Sequence, residues 1–371
     1  MKKEITFFYT DHIEKITWMN LKKKAKQRGF KTKFSTDLSE KVEIGFYNHD
    51  RNIKNNAKLS VVSLHGMDQC RNFWPNPWSK MRWDYYDIGL LPGNHWSKMW
   101  SHSSFDPYAN PKKGVYKVGW PKSDDINSKK FKILKNKIKK KLNPKKKTIL
   151  YAPTFETDNK QIDILKMAIK LNVNLIVKHW VSKDDKIYSD IYKNIAKVNS
   201  ATKKSCKDAI ILPPKSSIFV PMAVADLLIT DESSVLYEAM FFNVPTVIPN
   251  DWKMRINNTN KPRNIIPSKF AYKNCPKNQL YKTLKSIFKN LNKIKINISS
   301  KKHFHFSNIG KSSDQIILII ERLIKNKEIK KFKIKNLNKI KTYYIFQRKL
   351  INIFNLVILF LKKSLVIVKK I

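Results

Sequence analysis

Two histidines sit at the ends of short apolar runs, where an imidazole could move protons. Leu59–Leu64 leads into His65-Gly66, and Leu175-Ile176-Val177 leads into Lys178-His179-Trp180. An imidazole titrates near neutral pH, so His65 is a candidate base toward a hydroxyl. Gly66 permits a tight turn beside it. Lys178 and His179 together could neutralise a diphosphate leaving group. A third run, Leu227 to Thr230, continues as Asp231-Glu232-Ser233-Ser234. A helix is expected from Ser233 to Phe242, and its free N–H groups and positive end would attract an anion. Ser233 and Ser234 would add hydroxyl donors to phosphate oxygens. Glu238 lies one turn on, in reach of a ribose diol. Each pattern also has a plain structural reading: a packed histidine, or Asp231 or Ser233 as an ordinary helix cap. His303 and His305 have no carboxylate at metal-ligand spacing, and no Asp-x-Asp pair stands in a suitable place. No tightly bound metal or cofactor is expected, though a divalent ion could assist.

These residues need elements that hold them at one edge. Ile5–Tyr9, Val42–Tyr47 and Leu59–Leu64 are short continuous apolar runs that fit buried parallel strands. His12 to Arg28 has helical spacing and ends at Gly29. A Lys-rich helix from Lys129 leads to a linker at Asn143-Pro144. The pattern then repeats. Strands are expected at Thr148–Tyr151, Val173–Val177, Ile210–Leu212, Leu227–Thr230 and Thr246–Ile248. Helices are expected at Ile162–Leu171 and Gln315–Ile324. Strands alternating with helices argue for an α/β fold of two Rossmann-like, doubly wound domains facing across a cleft. In such sheets ligands bind at the carboxyl ends of strands, where His65, His179 and Thr230 fall.

Composition narrows the partners. The 371 residues carry 75 Lys+Arg against 28 Asp+Glu, a net +47. Hydrophobic content of 42% is enough for packed cores, so the charge does not imply disorder. Only eight of the basic residues are Arg, the side chain suited to bidentate phosphate contacts. With no nucleic-acid-binding signature, a nucleic-acid partner is not expected. Cys70, Cys206 and Cys275 are widely spaced, which fits a reducing compartment rather than a disulfide framework. From 325 to 371 the chain carries 14 Lys/Arg and one acid, Glu328. Leu350–Leu361 is twelve uncharged residues, too short for the roughly 18 needed to span a bilayer. This tail reads as a basic amphipathic segment lying on an anionic membrane surface; the alternative is ordinary packing on the first domain.

Taken in order, the motifs resemble the CDP-glycerol glycerophosphotransferase family of teichoic-acid polymerases and primases. They are His65-Gly66, Gly119-Trp120-Pro121-Lys122-Ser123-Asp124, Tyr151-Ala152-Pro153-Thr154, Lys178-His179, Asp226 to Ser234, and Asn243-Val244-Pro245-Thr246. The resemblance covers about residues 40–320. It implies a GT-B fold, with an acceptor-side domain at 1–143, a donor nucleotide-binding domain at 144–324, and the tail at 325–371. The implied activity is transfer of glycerol phosphate from CDP-glycerol to a glycopolymer or lipid-linked hydroxyl acceptor, releasing CMP. It would serve teichoic-acid-like or capsular polymer synthesis at the cytoplasmic face of a bacterial membrane. His65 would match the base. His179 would match the histidine near the donor diphosphate. Gly66, Lys178, Thr230, Asp231, Ser233, Ser234 and Glu238 would bind substrate. The sequence departs from the family pattern at Glu232 (usually Tyr), Trp180 (usually Pro), Met67-Asp68-Gln69 and Glu156. A CDP-ribitol donor, a nucleotide sugar used by a GT-B glycosyltransferase, or an inactive polyanion-binding homologue stay open as alternatives.

Overall fold

The computed structural model describes residues 3–48, 56–64, 66–67, 81–157, 159–231, 233–249, 251–252 and 272–327, together with 329, 346 and 353. His65, Glu232 and nearly all of the expected membrane-associating tail lie outside the described residues.

The first half contains β1 (Glu4–Phe8), α1 (His12–Gln27), β2 (Lys31–Ser35), β3 (Val42–Asn48), β4 (Ala57–Ser63), β5 (Ile88–Leu91), α2 (Asn94–Ser103) and β6 (Val115–Lys117). Its strands form one parallel sheet in the order β2-β1-β3-β4-β5-β6. The runs Ile5–Phe8 and Leu59–Ser63 are wholly buried, as a sheet covered on both faces requires. Asp11 caps α1 by accepting from the Glu14 N–H at 2.8 Å, and the Glu14 carboxylate accepts from the Thr10 N–H at 2.6 Å. Gly29 then takes φ 82°, the left-handed turn that ends the helix. Tryptophans 83, 96, 100 and 120 are buried.

After α3 (Lys129–Lys139) the second half contains β7 (Thr148–Tyr151), α4 (Lys160–Leu171), β8 (Asn174–Lys178), α5 (Ser189–Ser205), β9 (Ile210–Leu212), α6 (Phe219–Met222), β10 (Leu227–Ile229), α7 (Val235–Glu238), β11 (Thr246–Pro249), β12 (Lys273–Cys275), α8 (Leu280–Lys289) and α9 (Leu291–His305). Its parallel sheet runs β12-β11-β10-β7-β8-β9. The helix expected to close the fold, α10 (Ser312–Ile324), returns to the first sheet. Its Ile316, Ile317 and Ile320 share a core with Ile5, Phe7, Trp18 and Leu21. The Asp124 carboxylate accepts from the Ser312 and Ser313 N–H groups at 2.8 and 2.6 Å, which caps α10 from the turn after Trp120. One apolar cluster spans both halves, from Val62, Leu64 and Trp96 to Leu150, Leu228 and Tyr237. The two α/β units are therefore packed against each other as a GT-B-like pair.

Two expectations are corrected in detail. The helix after Ser234 is one α-turn, Val235–Glu238, continued as a 3₁₀ turn through Phe242. The chain leaves this turn at Asn243, in the left-handed region with φ 58°. The edge strands β2, β6 and β12, the inner strand β5 and the helix α5 are additions to the elements expected from the sequence.

Candidate active site between the two sheets

β7 is central in the second sheet and pairs with both β8 and β10. Three strand ends therefore stand side by side. They carry Ala152 to Thr154, Lys178-His179 and Thr230-Asp231. The Thr230 hydroxyl donates to the Ala152 carbonyl at 2.7 Å. The Thr154 N–H and hydroxyl both donate to Asp231 Oδ1 at 2.7 Å. Asp231 thus ties the end of β10 to the end of β7 rather than capping a helix. Burial pushes its carboxyl upward from the usual range. Its Oδ2 is buried with no hydrogen-bond partner among the described residues.

Lys178 is buried and donates to the His179 and Pro214 carbonyls at 2.8 and 2.6 Å. Burial, and secondarily the charge of Lys122, lower its ammonium to about 7. A neutral amine has two N–H bonds, and the two carbonyls use both. His179 is lowered to about 3, first by burial and then by Lys178, so its ring is neutral at physiological pH. Its Nε2 lies 2.7 Å from Gln161 Oε1. Behind Gln161, the Glu156 Oε1 accepts from the Gln161 N–H at 3.0 Å, and Oε2 accepts from the Tyr151 hydroxyl at 2.6 Å. Burial raises Glu156 to about 7.

The first sheet faces this edge from β4. Met67, just past Gly66, donates its N–H to Ser234 Oγ at 3.1 Å and accepts from Trp96 Nε1 at 3.0 Å. Ser234 is therefore held by the opposite half and makes no capping bond of its own. With a single α-turn behind it, the dipole part of the anion-site argument is weak. Glu238 is fully buried. Its Oε1 accepts from Trp120 Nε1 at 3.1 Å and Lys122 Nζ at 2.9 Å, both from the first half, and its Oε2 has no partner among the described residues. Ser233 is half-buried.

The structure thus gathers Lys178, His179, Thr230 and Asp231 on one edge, and brings Ser234 and Glu238 against the first half near Gly66. Sequence reasoning passed over Thr154, Gln161, Trp120 and Lys122 as site components. The Gly119-to-Asp124 turn was visible as a motif, but only the fold shows it gripping Glu238 and capping α10. Gln161 gave no signal, being one polar residue in a helix start. Elsewhere, an open cavity of about 540 Å³ is lined by Asp163, Lys166, Lys170, Asp251, Lys277 and Tyr281. It holds none of these residues, and its Asp163–Lys277 ion pair marks it as a surface groove.

Comparison with known proteins agrees with this fold. No curated protein matches the chain. Among solved structures, the wall teichoic acid polymerase TagF shares 16% identity over 87% of this chain and 90% of that chain, with a TM-score of 0.56. A histidine-to-asparagine variant of TagF soaked with CDPG gives 14%, 88%, 90% and 0.55. A putative UDP-N-acetylglucosamine 2-epimerase from Listeria monocytogenes gives 11%, 90%, 100% and 0.56. At these identities the likeness is one of fold. The family model for CDP-glycerol:poly(glycerophosphate) glycerophosphotransferases matches residues 66–322, well over half of the chain and every described site residue, and the chain belongs to that family.

Proposed function

We propose that this protein transfers glycerol phosphate from CDP-glycerol to a hydroxyl acceptor in the synthesis of a teichoic-acid-like surface polymer. The observation that carries the reading is the contact between the two halves, Met67 on Ser234, within the region that the family model matches. The acceptor oxygen attacks the β-phosphorus of the donor, the bond to the bridging oxygen breaks, and CMP leaves. His65, next in sequence after Leu64, takes the acceptor's proton. Lys178 and the Ser233-Ser234 turn bear on the diphosphate, and the neutral His179 beside Lys178 acts as a hydrogen-bond acceptor toward the donor. Catalysis is then mainly positioning plus electrostatic stabilisation, as phosphoryl transfer requires.

The test is nucleotide release from CDP-glycerol, CDP-ribitol and UDP-sugars, with and without a polymer acceptor. Acceptor-dependent CMP release from CDP-glycerol is expected. His65→Ala and His179→Ala should each lower turnover by roughly 10²–10⁴-fold. Sugar transfer from a UDP-sugar, or no release from any donor, would overturn the reading. Near-normal turnover in both variants would overturn the residue roles.

A further inference from the structure

Gln161 sits at the start of α4, fully buried, with every polar atom of its side chain engaged. Its Nε2 donates to Asn199 Oδ1 at 2.9 Å and to Thr202 Oγ1 at 2.8 Å, both on α5. The Thr202 hydroxyl spends its own proton on the Val198 carbonyl at 2.8 Å, so toward Gln161 it can only accept. That fixes which end of the amide is nitrogen. The other end, Oε1, can only accept, and it faces His179 Nε2 at 2.7 Å. The proton of a neutral His179 must therefore be on Nε2, which leaves the Nδ1 lone pair. His179 Nδ1 has no hydrogen-bond partner among the described residues.

We infer that Gln161 is a positioning residue for His179, holding the ring in its Nε2–H form so that Nδ1 presents a lone pair to a proton-bearing group of the substrate. The chain of contacts runs from α5 through Gln161 to the strand end, and Glu156 steadies it by accepting from the Gln161 backbone N–H. Without the amide the ring could exchange its two neutral forms and rotate, and Nδ1 would be available only part of the time.

The inference concerns the same site as the proposed reaction and rests on that reading for its effect on turnover. The ring's protonation can be read without turnover. In ¹⁵N-histidine-labelled full-length protein, long-range ¹H–¹⁵N spectra at neutral pH, with the His179 signals assigned from His179→Asn, should show a neutral ring protonated on Nε2. Gln161→Met should give a mixture of the two neutral forms and lower kcat by about tenfold, with KM for the donor nearly unchanged. Gln161→Glu, which keeps the size and the acceptor, should restore the Nε2–H bond. A wild-type ring protonated on Nδ1, or a His179 spectrum unmoved by Gln161→Met, would overturn the inference. Because the wild-type spectrum alone decides the first point, a Gln161 variant that fails to fold does not rescue the idea. If the spectra agree while no donor is turned over, the positioning stands and the proposed reaction falls.

Discussion

The contact that most directly joins the two halves at the site is the Lys122–Glu238 ion pair. Its members differ in burial: the Glu238 side chain is 0% exposed and the Lys122 side chain 18%. Lys122→Met removes the cation and leaves a buried carboxylate with only the Trp120 N–H. Breaking a buried pair in this way costs about 3–5 kcal/mol. The lysine's partial exposure places this case near the lower end, at about 3 kcal/mol. Glu238→Gln keeps the Trp120 bond and leaves a lysine that can turn toward water. It should cost about 1.5 kcal/mol, the value of one charge-assisted hydrogen bond. The double variant loses the pair without stranding a charge, so it should fall well short of the sum, with a coupling of about 2 kcal/mol. The assay is urea unfolding followed both by tryptophan fluorescence and by far-ultraviolet dichroism. If Lys122→Met costs no more than Glu238→Gln, or the two effects add, the carboxylate is not the stranded partner and this account of the interface is wrong.

Two further outcomes concern protons. Lys178 sits at about 7 in the folded protein against 10.5 when free, so an arriving phosphate should raise it and draw a proton from solution. Titration calorimetry near pH 8 in buffers of different ionisation enthalpy should show proton uptake on donor binding that Lys178→Met abolishes; equal heats in every buffer would refute it. For stability, Glu156 is raised from 4.5 to about 7 and His179 lowered from 6.5 to about 3. Between pH 4.5 and 6.5 the protonated glutamic acid favours the folded state less as pH rises, while the neutral histidine favours it more. Glu156→Gln removes the falling part, so its stability should climb with pH more steeply than the wild type's over that window; parallel curves would refute the assignment.

Strands buried on both faces advertise themselves as continuous apolar runs, which is why β1, β3, β4, β7, β8 and β10 were legible within a residue or two. β2, at the sheet edge, reads Lys-Thr-Lys-Phe-Ser and has no such run. α5 does bury Ile191, Ile195, Val198 and Thr202 at helical spacing, but its lysines and asparagines mask the stripe. At the site, Lys178 and His179 were legible because a strand end is a local feature. The Gln161–Thr202 contact spans 41 residues and the Trp120–Glu238 contact 118, and no local pattern records such pairings. Asp231 and Ser234 were legible as residues, but not the partners that hold them. Those partners, Thr154 and Met67, come from elsewhere in the chain: Thr154 donates to the Asp231 carboxylate, and Met67 donates to the Ser234 oxygen, a contact that does not use the Ser234 hydroxyl proton.

A chain with a net charge of +47 has abundant cations for binding phosphate. The geometry points the other way. Of the basic groups at the strand ends, Lys178 is held near neutrality, His179 is neutral, and Lys122 is committed to Glu238. These three groups thus carry little free positive charge in a chain rich in it, whereas the charge of the buried Lys160 acts on Asp231 and Glu156. A buried amine whose pKa of about 7 rises when a phosphate arrives gains charge at the bound position and offers less to anions that do not reach it. The surface lysines are solvated and screened over about 8 Å at physiological ionic strength, so they draw polyanions in without discriminating among them. Selection in the proposed reaction therefore falls to the few buried groups whose charge state the fold controls, and donor affinity should weaken as pH rises above the pKa that Lys178 reaches with phosphate bound.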